Sequence, residues 1–228
     1  MLAYYIILIL FFLLLFTLIY FTYKQKKNYA FIFKTATSIL FILTGVISYI
    51  ISPEDYYYFR LLIIGLLFSL FGDMFLALKV KQSDGSLNKY FLYGLISFSL
   101  THIMYIAAFS HLGSFNVVDL LIALVLAFIT ISALKSNKNI DFKNMFLPAS
   151  IYSFIICLMA FESIKLVFLL NFNLGTCLLL IGALLFIFSD IVLSFILFYS
   201  HPKKFLSAVN LITYYTGQFI IASTLLFF

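Results

Sequence analysis

The chain has no tryptophan, three prolines and two cysteines, and only 10% of its 228 residues are charged. So little charge excludes a water-soluble globule of this size, because 65% hydrophobic residues at a mean hydropathy of +1.18 leave too little polar surface to coat one. No Pro-, Ser- or Gly-rich linker interrupts the chain, and its polar gaps are too short to hold a soluble domain. Of Pro53, Pro148 and Pro202, only Pro148 is placed to interrupt a helix, so the Pro-broken helices common at carrier substrate sites are missing. Cys157 and Cys177 sit in apolar surroundings without metal-ligand spacing and read as small core residues. HExxH, DxD-like, GxSxG, GxGxxG and P-loop patterns are also absent, which argues against metal hydrolysis, a nucleophile elbow and nucleotide chemistry. Ser69 and Ser189 have no histidine in local reach; a triad assembled in space stays open.

What is present is apolar sequence in helix-length blocks. Eight windows are long enough to cross a bilayer as helices: about 2–22, 31–51, 58–78, 90–109, 117–134, 145–165, 174–198 and 205–227. They are apolar on nearly every residue, whereas barrel strands would alternate, so the fold class is all-α: a polytopic membrane bundle of eight transmembrane helices. The first window has no basic region before it and no small-residue cleavage site, and so reads as a retained helix. The window near Asp119 is the softest, since its apolar run is short. The whole of 1–228 is expected to form a single transmembrane domain.

The net charge of +6 does not call for nucleic acid. Lysines cluster in alternate loops: Lys24, Lys26 and Lys27, then Lys79, Lys81 and Lys89, then Lys135, Lys138 and Lys143, then Lys203 and Lys204. The other loops carry Glu54, Asp55 and Asp119, so the positive-inside rule puts both termini outside and the lysine-rich loops in the cytoplasm. For a prokaryotic host the membrane would be the cytoplasmic one. Tyr4, Tyr5, Tyr20, Tyr23 and Tyr56 to Tyr58 fall near predicted interfaces, where amphipathic rings are favoured. Arg60, Glu162 and Lys165 lie near helix ends and read as interfacial anchors.

Against this background two residues stand out. Asp73 and Asp190 lie deep in apolar windows, where an ionisable group costs several kcal/mol unless it faces a polar interior. Their surroundings match at a fixed offset: Gly65 with Gly182, Leu67 with Leu184, Phe71 with Phe188, Asp73 with Asp190, Leu76 with Leu193. That match suggests an internal repeat, 1–113 and 114–228, as two four-helix halves related by an axis along the membrane normal. Gly65 and Gly72, and Gly175, Gly182 and Ser189, form small-residue stripes that let helices pack closely in lipid. Each aspartate follows the last residue of its stripe, so the carboxylates should border the packed seams.

Further polar groups could complete a site. Phe91, Gly94, Phe98, His102 and Tyr105 share one face of helix 4; His102 reads either as a hydrogen-bonded packing residue or as part of a site. On helix 8, Tyr214 and Gln218 are four apart, beside Thr213 and Tyr215, and read either as interhelical glue or as site groups. Lys34 either snorkels to headgroups or pairs with an aspartate or a lipid phosphate. At about 1.5 Å per residue, Asp73, Asp190, Tyr215 and His102 lie roughly 8 to 18 Å from the lysine-rich ends, so one pocket in that half could hold them all.

Taken together, Gly72-Asp73, Phe91-x-x-Gly94-x-x-x-Phe98-x-x-x-His102-x-x-Tyr105, Gly182-Ala183-x-x-Phe186-x-x-Ser189-Asp190 and Tyr214-Tyr215-x-x-Gln218 resemble the YhhN-like lysoplasmalogenase family of eight-helix membrane proteins. Lys34 falls where that family has a Lys-Pro pair, with Thr35 in place of the proline. The resemblance implies hydrolysis of the vinyl ether bond of a lysophospholipid, without metal or organic cofactor, to a fatty aldehyde and a glycerophospho-base. It makes Asp73 and Asp190 the catalytic pair. Lys34, His102, Tyr105, Ser189, Tyr214, Tyr215 and Gln218 would be substrate-binding groups, and membrane lipids the partners. Acid–base work by two carboxylates suits that reaction, with Asp190 as acid and Asp73 as ionised partner, although the similarity of their surroundings allows the reverse. Two other classes remain open: a proton-coupled lipid or small-molecule transporter using the paired aspartates, and a lipid-binding scaffold in which they only tie the bundle.

Overall fold

The computed structural model describes residues 2–78 and 87–228; Lys79 and Lys81 of the second basic cluster lie outside the described residues. Among the described residues eight long helices follow one another: α1 (Leu2–Tyr23), α2 (Lys27–Ile51), α3 (Tyr56–Ala77), α4 (Lys89–Leu112), α5 (Val117–Ser136), α6 (Phe146–Leu169), α7 (Leu174–Phe198) and α8 (Phe205–Ser223). All eight are long and apolar enough to span a bilayer, which makes this a multi-pass membrane protein.

Helix ends are set by caps. The Asp55 carboxylate accepts from the amides of Tyr57 and Tyr58 at 2.8 and 2.9 Å and starts α3, and the Asn173 side chain accepts from the Thr176 amide and starts α7. Asp119 does not weaken α5. It sits in the first turn, where its carboxylate takes the Asn116 amide at 2.7 Å and complements the positive end of the helix. Pro148 lies in the first turn of α6, where a missing N–H costs nothing, so it breaks no helix. α2 begins four residues earlier than its apolar window, because Lys27 to Ala30 form a polar first turn.

The basic loops meet at one end of the bundle. Ile140 and Tyr199 form a bridge between the α5–α6 and α7–α8 connections, and the Asn144 amide donates to the Leu87 carbonyl just before α4. Lys204 shares a hollow with Tyr23 and Gln25. This lysine-rich end is sealed by a small apolar cluster of Leu87, Phe91, Ile140, Phe142, Met145 and Phe198.

Close helix contact depends on glycine. A Cβ at Gly65 would stand 2.6 Å from the Tyr105 ring, and one at Gly72 2.8 Å from Phe98, so α3 and α4 touch along both. On the other side, a Cβ at Gly182 would meet Ile221 at 2.6 Å, and one at Gly217 would meet the Gly182 carbonyl at 2.9 Å. Several helix pairs recur at matching places, α1 on α2 and α5 on α6, α3 on α4 and α7 on α8, α2 on α3 and α6 on α7, α2 on α8 and α6 on α4, whereas α1 and α3 also pack on α8 more closely than α5 and α7 do on α4.

Two groups of residues read as interfacial are in fact interior. Tyr58 is fully buried and its hydroxyl pairs with Thr224 at 2.7 Å, unlike Tyr5, Tyr20, Tyr23, Tyr56 and Tyr57, which stay exposed. Glu162 is fully buried too. Lys165 meets it at 2.8 Å, holds Asp119 at 2.6 Å and donates to the Ser114 carbonyl, so these charges clamp the far ends of α5 and α6 rather than anchor them in headgroups. A buried carboxylate persists when a cation pairs with it, and the nearest cation is one turn away on the same helix.

Candidate functional site

α3 and α7 bring their aspartates to one cavity at the lysine-rich half. It is lined by Lys34 of α2, Asp73 and Leu76 of α3, Phe98 of α4, Ser189, Asp190, Leu193 and Leu197 of α7, and Asn210, Leu211 and Tyr214 of α8. A second cavity lies against it, among α4, α5, α6 and α7, and encloses about 790 Å³ counting its open mouth. Its walls are almost wholly apolar, including Leu95, Ile131, Leu134, Ile156, Ile187 and Phe198, with Tyr152 and Asp190 among the exceptions. Leu76, Phe98, Asp190, Leu193 and Leu197 belong to both. Asp190 therefore stands where a polar hollow joins an apolar one.

Asp73 is buried among donors. Ser38 gives a proton to Oδ2 at 2.6 Å and Tyr214 at 2.7 Å, while the Lys34 ammonium lies 3.3 Å from Oδ1; the Tyr215 hydroxyl stands 3.4 Å from Oδ2 and nearer, at 3.1 Å, to the Lys34 carbonyl and to Ser38. Lys34 thus reaches inward and pairs with the aspartate; its side chain is 17% exposed, on the cavity wall. Behind Tyr214 runs a directed chain. The Tyr105 hydroxyl donates to Gln218 Oε1 at 2.6 Å, and Gln218 Nε2 donates to Ser69 Oγ at 2.7 Å. Tyr214 spends its proton on Asp73, so the 2.7 Å contact between Ser69 and Tyr214 must carry the serine proton. Every link points at Asp73, an arrangement that suits an anion at its end.

Asp190 has a sparser shell. It is only partly buried and makes no ion pair among the described residues; Tyr152 donates to its Oδ2 at 2.5 Å. Tyr152 in turn meets His102 Nε2 at 3.0 Å. His102 is fully enclosed, with its ring edge-on to Phe186 at 4.6 Å between centroids, and it reaches Asp190 only through Tyr152.

The expected substrate groups therefore divide. Lys34, Ser189 and Tyr214 line the polar cavity, though the Ser189 hydroxyl is spent on the Phe186 carbonyl of its own helix at 2.7 Å. Tyr105, Tyr215 and Gln218 are fully buried, off both cavity walls, and act on the site through hydrogen bonds. Tyr152, Ser38 and Asn210 were not singled out by sequence. One signal was available for Tyr152: the offset of 117 that aligns the aspartates sets it against Thr35, beside Lys34, one helix before its aspartate. Among the described residues no three His, Cys, Asp or Glu side chains converge as a metal site would need.

No curated protein and no solved structure matches this chain. A model of the YhhN family does match, over residues 29–225, a stretch that holds every side chain of both aspartate shells. The chain belongs to the YhhN family.

Proposed function

We propose that this protein is a membrane hydrolase that cleaves the vinyl ether bond of a lysoplasmalogen, or of a related single-chain lipid, to a fatty aldehyde and a glycerophospho-base. The observation that carries the reading is the position of Asp190 at the junction of an apolar and a polar cavity. The bond in question occupies the same junction in the lipid, between an alkenyl chain and a glycerol headgroup. The chain would fill the apolar cavity and the glycerophosphate the polar one, with Lys34 able to meet the phosphate.

Hydrolysis of a vinyl ether begins with protonation of the carbon distal to oxygen. Asp190 supplies that proton, and the adjoining carbon becomes an oxocarbenium ion. Asp73, held ionised by Lys34 and its hydroxyl donors, stabilises the cation and orients the water that captures it. As the water adds, its surplus proton passes to the carboxylate pair and restores the acid; the neutral hemiacetal then collapses, its hydroxyl proton moving to the glycerol oxygen, which leaves as an alcohol beside the aldehyde. The unequal shells support this division of roles: cation and several donors at Asp73, one tyrosine at Asp190.

The reading is tested with purified protein in detergent, given matched 1-alkenyl and 1-alkyl lysophosphatidylethanolamines. Aldehyde should appear from the alkenyl lipid alone, since a saturated ether offers no carbon to protonate. Absence of aldehyde, with lipid movement in liposomes that follows a proton gradient, would favour the transporter instead.

A further inference from the structure

We infer that Tyr152 is a positioning residue which, keyed by His102, confines the proton of Asp190 to Oδ1, the oxygen left free for a ligand. This rests on the role of Asp190 as acid proposed above. Oδ2 is occupied by the Tyr152 hydroxyl at 2.5 Å, and Oδ1 has no hydrogen-bond partner among the described residues, in a side chain that lines both cavities. A carboxyl proton can sit on either oxygen. Only one of the two is useful, because a proton on Oδ2 would point into the helix interface at Tyr152.

What decides is the direction of the Asp190–Tyr152–His102 chain. Tyr152 has one proton, to give either to Asp190 or to His102. If it goes to His102, the neutral imidazole must carry its own proton on Nδ1. That atom is buried without any hydrogen-bond partner, and an orphaned buried N–H is rare. The other tautomer leaves only a bare lone pair at Nδ1 and puts the imidazole proton on Nε2, 3.0 Å from the tyrosine oxygen. Tyr152 then accepts from His102, and its own proton, whose two contacts are His102 Nε2 and Asp190 Oδ2, has only Oδ2 left to take it. With Oδ2 accepting, the proton of the acid is left on Oδ1. After transfer the same hydroxyl stabilises the carboxylate, so nothing need reorganise at the step.

His102 therefore acts at second hand, and its unpartnered nitrogen is the device that polarises the chain. Asp73 is served otherwise: Lys34 and Ser38, also from the preceding helix, hold it. A lysine there favours a charged partner; a tyrosine with a fixed proton favours an acid with a fixed one.

The placement is tested without substrate, by two spectroscopic measurements on purified protein. Imidazole 15N labelling gives three histidines, His102, His111 and His201, with His102 assigned from the His102→Gln variant. The prediction is a neutral ring protonated at Nε2; protonation at Nδ1, or at both nitrogens, overturns the inference. In infrared difference spectra, the carboxylic C=O stretch that disappears in Asp190→Asn should rise in frequency in Tyr152→Phe, which removes the donor from the carbonyl oxygen. An unchanged stretch overturns it as well.

Kinetics on the alkenyl lipid then read the consequence. Tyr152→Phe should lower kcat by about 10- to 100-fold with KM little changed. His102→Leu should do likewise, His102→Gln should recover part of the loss through its amide donor, and the double variant Tyr152→Phe/His102→Leu should be no worse than Tyr152→Phe. Additive losses, or no recovery by glutamine, would mark a merely structural role and sink the inference. A parent that cleaves no vinyl ether but gives the predicted spectra would refute the proposed reaction and leave the proton placement standing; turnover with the opposite tautomer would do the reverse.

Discussion

At the scale of residues, the charged groups of the site were legible in the sequence and the neutral ones were not. Asp73, Asp190 and Lys34 stand out because an ion in an apolar run needs an explanation. A serine or tyrosine needs none. Thr37, Thr44 and Ser97 sit in similar runs and bond only carbonyls of their own helix, whereas Ser69 reaches another helix and Ser38 reaches Asp73 while also lying 2.9 Å from the Lys34 carbonyl of its own. Nothing local separates the two behaviours, because the partner comes from a distant helix. Ser69 shows what such a residue is worth: it takes a proton from Gln218 and passes its own to Tyr214. Ser69→Ala strands the Gln218 amide, so thermal unfolding in detergent should report a loss of about 1–3 kcal/mol, and turnover should fall with it.

At the scale of elements, the number and order of the helices followed from hydropathy, and their ends depended on chemistry that hydropathy ignores. The apolar windows missed the polar first turn of α2 and undervalued Asp119, because a charge at a helix start is a cap rather than an interruption. The glycine stripes were legible, and the structure gives them a measurable cost. Gly182→Leu would drive a side chain against Ile221 and the Gly217 carbonyl and part α7 from α8, lowering the unfolding temperature, whereas Leu184→Ala on the exposed face should change it little.

The cap of α3 makes a pH prediction. Partial burial pushes the Asp55 carboxyl up, but the Tyr58 amide, His111 at 2.7 Å and the Tyr57 amide outweigh it and hold the group below its ordinary 3.8. A carboxyl lowered in the folded state gives stability that is present above about pH 4 and lost as pH falls through the folded value. Unfolding temperature should therefore drop on acidification below about pH 4, and Asp55→Asn should flatten that drop.

At the scale of the whole molecule, the helices before and after the α4–α5 connection share several pairings, though not the close ones of α1 and α3 with α8, and bring two unequally served aspartates to one cavity. α2 serves Asp73 with a lysine and a serine; α6 serves Asp190 with a tyrosine. The sequence announced two similar aspartates and left their roles interchangeable, because the difference lies in neighbours that only folding brings together. The cavities separate the two: each aspartate lines the polar hollow, and of the pair only Asp190 also touches the apolar one.

The most direct measurement is the rate of aldehyde release from 1-alkenyl lysophosphatidylethanolamine by purified Asp73→Asn and Asp190→Asn beside the parent, with unfolding temperature checked for each. Both variants should stay folded and lose at least about 100-fold in turnover, since each removes one half of the proposed acid–base pair. Turnover at the parent rate by either folded variant would contradict the account.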